Sequence, residues 1–233
     1  MIQNVVDSDG GGAAKVLADL ANRPADRPYV VAQLGQSLDG RIALPNGESR
    51  WINGESALIH VHRLRAAVDA VVVGVGTVLA DDPQLTVRRV PGRNPTRVVI
   101  DPSGKMPKDA KLYTDQAAPV LVIRGHDAPD EQPGDIVVRR VNGVLAPGRM
   151  IEALSKRGLS RILIEGGATT VSRFIDAGVV DELHLLVAPM ILGSGISGLD
   201  LAPIDTLRMA HRPVTQVTVL DDGDVLFVCR FRQ

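Results

Sequence analysis

Apolar residues in this chain gather into short solid runs, separated by polar or glycine-rich breaks. Residues 70–73, 120–123, 136–138 and 162–164 are such runs, and 29–34 and 97–100 join them apart from Gln33 and Arg97. A run of this kind, with no polar alternation, predicts a strand buried on both faces, as in a parallel sheet. Other stretches carry helical spacing. Leu58, Val61, Leu64 and Val68 recur at helical intervals. Met150, Ile151 and Leu154 predict a helix that stops at Gly158; Val171, Phe174 and Ile175 predict another that stops at Gly178. Residues 182–192 alternate, with Leu183, Leu185 and Val187 on one face and His184 on the other, where it reads as a packing histidine. Residues 217–220 and 225–231 flank Asp221-Asp222-Gly223-Asp224, which signals an antiparallel hairpin.

The alternation predicts an α/β fold: a mostly parallel central sheet with helices on both faces, closed by a C-terminal antiparallel hairpin. Residues 1–27 stand apart. Gly10-Gly11-Gly12 is flexible, residues 13–22 suit a short helix, and Pro24 and Pro28 interrupt the chain. This segment reads as a flexible N-terminal tail or a packing arm, without chemistry. Residues 28–233 read as a single domain, with neither linker nor repeat.

Composition narrows the function. With one Trp, two Tyr and three Phe, the chain has no stacking platform for single-stranded nucleic acid. A net charge of −1 without a basic block argues further against a nucleic-acid partner. The single cysteine, Cys229, lies in a strand-like run and cannot form an internal disulfide. No run is long enough to span a bilayer and no secretory signal opens the chain, so a soluble cytoplasmic protein is expected. His60 and His62 are two apart and share no helix face, so no metal site is expected there.

Candidate chemistry concentrates in residues 161–180. The apolar run 162–164 is followed by Glu165, then Gly166-Gly167, then the start of a helix. Glycines let a ligand approach the backbone, and free N–H groups at a helix start favour an anion. The same pattern also suits a plain strand-to-helix turn. Ser37-Leu38-Asp39-Gly40, at the end of the first run, is either turn chemistry or a ligand-binding loop. Asn53 is placed to cap the next helix, with Glu55 in its first turn. Gly74-Val75-Gly76-Thr77 lacks the third glycine of a dinucleotide fingerprint; Thr77 is expected to cap the short turn that follows, and Asp81-Asp82-Pro83 makes a second turn.

Several loops match one family in order: SLDGRIA at Ser37, ESRWIN at Glu48, HRLRA at His62 and VGVGTVLADDPQLTVR at Val73. RVVID at Arg97, LIEGGATT at Leu163, VDEL at Val180 and APMILG at Ala188 continue the series. The chain resembles the pyrimidine reductase of riboflavin biosynthesis, whose fold is like that of dihydrofolate reductase. The resemblance runs from Pro28 to the C-terminus. It implies NADPH-dependent reduction of the ribosyl group of a ribosylaminopyrimidinone 5′-phosphate to a ribitylamino chain, and a homodimer. Gly166, Gly167, Ala168, Thr169, Thr170 and Val171 would hold the cofactor diphosphate. Thr77 and Asp81 would bind cofactor hydroxyls, and Gly35 and Trp51 would lie beside the nicotinamide half. Ser103, Gly104, Lys105 and Met106 would meet the adenosine side, with Lys105 favouring the extra phosphate of NADPH. Ser49, Arg65, Leu85, Arg88 and Glu165 would surround the substrate, the two arginines as phosphate partners. Asp39 and Glu165 are the implied groups for proton handling.

The chain departs from the family in three ways. Gln33 stands where many relatives that carry a deaminase have lysine, and Asn53 where relatives often have threonine. No H-x-E with a P-C-x-x-C is present, so the zinc deaminase half is missing and the pyrimidine could be deaminated or not. Two alternatives remain at this stage: a same-fold NADPH reductase of another heterocycle (a pterin or a secondary metabolite), and a non-catalytic nucleotide-binding scaffold.

Overall fold

The computed structural model describes residues 5–7, 11–24, 26–128, 134–141 and 143–231. Gly10 of the expected glycine tail lies outside them. The first half contains β1 (Val5–Asp7), α1 (Gly11–Ala21), β2 (Tyr29–Ser37), β3 (Arg41–Ala43), α2 (Glu55–Ala67), β4 (Ala70–Gly74), α3 (Val75–Asp81) and β5 (Thr96–Ile100). Next come α4 (Lys111–Thr114), β6 (Val120–Gly125), β7 (Ile136–Val138), β8 (Arg140–Val141), β9 (Val144–Leu145), α5 (Pro147–Ser155) and β10 (Arg161–Glu165). The chain ends with α6 (Ala168–Asp176), β11 (Glu182–Ala188), β12 (Ile196–Ser197), a short 3-10 turn at Leu207–Met209, β13 (Val214–Val219) and β14 (Val225–Arg230).

Ten strands form one sheet in the order β1-β13-β14-β11-β2-β10-β4-β5-β6-β7. Every pairing is parallel except the two made by β14. The solid apolar runs account for this: their alternate residues enter two different cores. Val30, Ala32, Val72, Val98, Ile162 and Ile164 pack under α5 and α6, with Leu154, Val171 and Phe174. Val31, Val71, Val73, Val99 and Leu163 pack on the opposite face, with Leu17 of α1, Leu64 of α2, Val78 of α3 and Leu112 of α4. The expected arrangement, a mostly parallel sheet between two helical layers with a C-terminal hairpin, is the one found.

Local readings fare unevenly. Residues 11–21 form a packed helix rather than a loose tail, because Ala13, Val16, Leu17 and Leu20 are buried. In α2, Leu64 reaches the core as expected, and Val68 does so just after the helix ends. Leu58 lines an open cleft, and Val61 both lines it and packs against a smaller core cluster with Ala57, Leu186 and Leu226. Thr77 caps nothing; it lies inside α3, whose N-cap is Gly74.

Asn53 is not the cap of α2 either. That position is Gly54, with no cap from its own neighbourhood. The hairpin turn between β13 and β14 supplies it from across the chain. Gly54 N–H donates to Asp224 Oδ2 at 2.9 Å, and Ser56 N–H donates to Asp222 Oδ2 at 2.8 Å. Carboxylates at a helix N-terminus satisfy its free donors and oppose its dipole. Asn53 Nδ2 also donates to Asp224 Oδ2, at 3.1 Å. Asp224→Ala is therefore expected to destabilise the fold by about 2 kcal/mol. Urea denaturation checks this, and an unchanged midpoint would show that the cap carries no energy.

Candidate active site

The carboxyl ends of the parallel strands meet at one edge of the sheet. There β2 ends in Ser37, β4 in Gly74 and β10 in Glu165, and Glu165 stands beside Gln33 in register. Open α/β sheets hold their ligands at this edge. A cleft of about 530 Å³ opens over it, floored by Gln33 and Gly35 of β2 and walled by α2, the 49–53 loop and Glu165.

Of the residues expected around the ligands, Gly35, Ser49, Trp51, Arg65, Asp81, Arg88 and Glu165 all line this cleft. Gly35 needs to be glycine, since a Cβ there would lie 2.1 Å from Asn53 Oδ1. Trp51 sits at the lip, 75 % exposed, with a φ of 73° that non-glycine residues rarely adopt. Arg65 reaches from α2 to Glu165. Its Nε donates to Oε2 at 2.8 Å, its Nη2 to Oε1, and its Nη1 to the Thr86 carbonyl at 3.0 Å. Burial opposes the guanidinium charge, yet the field and hydrogen bond of Glu165 raise the Arg65 pKa. Arg88 Nη1 donates to Thr86 Oγ1 at 2.6 Å. Burial, then the neighbouring Arg65 and Arg89, lower the Arg88 pKa. The cleft wall thus gathers three guanidinium groups: Arg65 is bonded to Glu165 and Arg89 to Glu55, while Arg88 has no carboxylate bond among the described residues, a setting that favours an anion beside Arg88.

The double-glycine turn abuts the cleft directly after Glu165. Gly166 and Gly167 take φ values of 71° and 70°, open to glycine and costly for most other residues. Gly167 is the N-cap of α6, with no side chain capping it. Thr77 and Thr170 close around the turn: their Oγ1 atoms lie 3.3 and 3.7 Å from where a Gly167 Cβ would be. An uncapped helix start, two positive-φ glycines and two hydroxyls suit a diphosphate. Thr169 is exposed, Ala168 is buried and the Val171 side chain packs in the core, so from these last two only the backbone is on offer.

The adenosine-side residues divide. Ser103 and Thr170 line a second cavity of about 270 Å³ beyond the turn, with Arg140 and Arg173. Gly104 and Lys105 are exposed outside it, and Met106 is buried. The Asp101 carboxylate holds this loop by accepting from the Lys105 and Met106 amides at 2.9 and 2.8 Å. Leu85 is buried at a φ of 54° and does not line the cleft; it sets up Thr86 beside it.

Asp39 does not fit proton handling. It is exposed, stands outside the cleft, and accepts from Ser37 Oγ at 2.6 Å, Leu192 N–H at 3.0 Å and Gly193 N–H at 2.7 Å. These bonds, the one from Ser37 foremost, pull its pKa down to about 2. It ties the loop after β2 to the segment after β11.

Residue reasoning missed His62, Arg89, Arg140 and Arg173. His62 lies one turn before Arg65 and Arg173 one turn after Thr170, so helical spacing could have found both. Nothing local marks Arg140. His60 and His184 stack at 5.0 Å and share a 2.8 Å hydrogen bond, with Glu182 on the other side of His184 at 2.7 Å. Among the described residues no group of three or more His, Cys, Asp or Glu is placed to hold a metal ion.

Comparison with known proteins agrees with this geometry. The model of the RibD C-terminal domain matches residues 28–219. A 2,5-diamino-6-ribosylamino-4(3H)-pyrimidinone 5′-phosphate reductase from Methanothermobacter thermautotrophicus is 40 % identical over 176 residues, 72 % of this chain and 80 % of that one. Riboflavin biosynthesis protein RibD of Aquifex aeolicus is 34 % identical over 181 residues, 76 % of this chain; the chain spans 50 % of its length. The solved structure of Acinetobacter baumannii RibD superposes with a TM-score of 0.75 at 32 % identity, covering 89 % of this chain and 59 % of that one. The chain belongs to the RibD C-terminal domain family.

Proposed function

We propose that this chain is an NADPH-dependent reductase of riboflavin biosynthesis, converting the ribosyl group of 2,5-diamino-6-ribosylamino-4(3H)-pyrimidinone 5′-phosphate to a ribitylamino chain. One observation carries the reading: a cleft walled by Arg65, Arg88 and Arg89 is joined through Glu165 to an uncapped double-glycine helix start. Two phosphorylated molecules can therefore be held side by side. The relative spanned over most of its length is named for the non-deaminated pyrimidine, which favours that substrate over the deaminated one.

Each group has a part. Arg88, with Arg89 near it, holds the sugar phosphate, while Ser49 offers a hydroxyl across the cleft. Amides from Gly167 to Thr169, with the hydroxyls of Thr77 and Thr170, hold the diphosphate. Asp81 takes a cofactor hydroxyl. Arg140, Arg173 and Lys105 supply cations on the adenosine side, toward the extra phosphate that separates NADPH from NADH. Bound NADPH supplies the hydride. Gly35 leaves room at the cleft floor, and Trp51, Leu58 and Val61 exclude water there. Hydride adds to the first sugar carbon of the open imine form and the balancing proton goes to the imine nitrogen; we assign that proton to Glu165, and because Arg65 occupies both its oxygens, the transfer requires that pair to open. A second copy would cover the exposed Ile191, Ile196, Leu207 and Met209, making the homodimer. No helix among the described residues is long and apolar enough to cross a membrane.

NADPH oxidation, followed by absorbance, should proceed with the diamino ribosyl phosphate and more slowly with its deaminated form. Tight NADPH binding without turnover of either would point to a scaffold. Arg88→Ala is expected to raise KM for the phosphorylated substrate by about tenfold or more and to leave KM for NADPH nearly unchanged. Equal increases would contradict the phosphate role. Glu165→Gln should lower kcat by about a hundredfold; near-normal turnover would move proton handling elsewhere.

A further inference from the structure

One buried titratable group on the cleft wall has no part in the account above. His62 lies on α2, one turn before Arg65; it is 4 % exposed and lines the cleft. The Arg88 backbone N–H donates to its Nδ1 at 2.9 Å. That bond makes Nδ1 the acceptor, so a neutral ring carries its proton on Nε2. Nε2 has no hydrogen-bond partner among the described residues. It is not sealed in the core either, since the buried side-chain atoms left without partners there are Arg41 Nε and Arg97 Nε. Nε2 therefore keeps some accessible surface, and since the residue lines the cleft, a ligand bound there is within reach of its N–H.

The charges around the ring keep it neutral. Arg65 faces it from its own helix, Arg88 and Arg89 from the segment linking α3 and β5, and Glu165 from β10. Burial, then Arg65 and Arg88, push its pKa down to about 4. One more cation would be repelled by these arginines, whereas a neutral N–H donor bonds an anion without adding to the repulsion. We propose that His62 is a substrate-positioning residue whose Nε2–H donates to the phosphate oxygens of the sugar phosphate held by Arg88. The proposal rests on reading the cleft as the phosphate site. It has a thermodynamic signature: a dianion bound against the ring favours the imidazolium, so ligand binding should raise the His62 pKa.

Nitrogen NMR of histidine-labelled protein, with His62 assigned by its loss in His62→Asn, reads both features without turnover. The free protein should show the Nε2–H tautomer at neutral pH. Saturating ribose 5-phosphate, and more weakly inorganic phosphate, should raise the His62 pKa by about one pH unit. Binding of ribose 5-phosphate that leaves His62 unmoved would overturn the proposal. No binding of either compound by the wild type would overturn the phosphate cleft itself. Kinetics supply the second arm. Asn offers an acceptor where Nδ1 lies and removes the donor, whereas Gln offers an amide N–H where Nε2 lies. His62→Asn should raise KM for the phosphorylated substrate about tenfold. Its kcat and KM for NADPH should change little, and His62→Gln should recover most of the loss. If both variants lower kcat and thermal stability alike, with KM unmoved, the ring serves only to clamp the Arg88 backbone.

Discussion

The ion pair between Arg65 and Glu165 is the join on which the cleft depends. It ties α2, from one helical layer, to β10 at the centre of the sheet, and the third arm of the guanidinium reaches Thr86. Buried pairs seldom add much net stability, because desolvation offsets most of the attraction. Removing one partner differs, since an uncompensated buried charge costs roughly 3–5 kcal/mol. The pair is best understood as geometry. It fixes where the Glu165 carboxylate points, and Glu165 is the residue from which the double-glycine turn departs.

The same pair settles an electrostatic conflict. Under the proposed function two anions sit close together, one at the start of α6 and one against Arg88. A bare carboxylate between them would repel both. Arg65 neutralises it on both oxygens, leaving Arg88 as the unpaired guanidinium on one side, with Arg89 bonded to Glu55, and the backbone amides of α6 on the other. The chain thus keeps a carboxylate at the cleft without losing the positive field around it.

Much of this was legible in the order of residues. Solid apolar runs announced strands buried on two faces, and the Asp-Gly turn announced the hairpin, because both signals are local. The cleft residues followed from short motifs at strand ends, where the chain itself sets the spacing. What escaped depended on contacts distant in sequence. Asn53 looks like a cap, but Asp222 and Asp224, about 170 positions away, do that work. Asp39 looks like a proton carrier until three donors, two of them amides more than 150 positions on, are seen to occupy it. Leu58 fits a core stripe by spacing, yet it lines the cleft, and Val61 divides between the cleft and a small core cluster.

The hairpin does more for the site than close the sheet. Asp224 accepts from both the Gly54 amide and the Asn53 side chain, so one carboxylate fixes the start of α2 and the position of Asn53 together. Asn53 also donates to the Leu186 carbonyl of β11, and its Oδ1 fills the space a side chain at position 35 would need. The floor of the cleft at Gly35 is thereby shaped by a turn three strands away in the sheet. Because α2 also carries His62 and Arg65, any loosening of that turn would shift the floor and the cationic wall in concert. In this arrangement the antiparallel hairpin of β13 and β14 acts as the brace that sets the spacing between the two walls of the cleft.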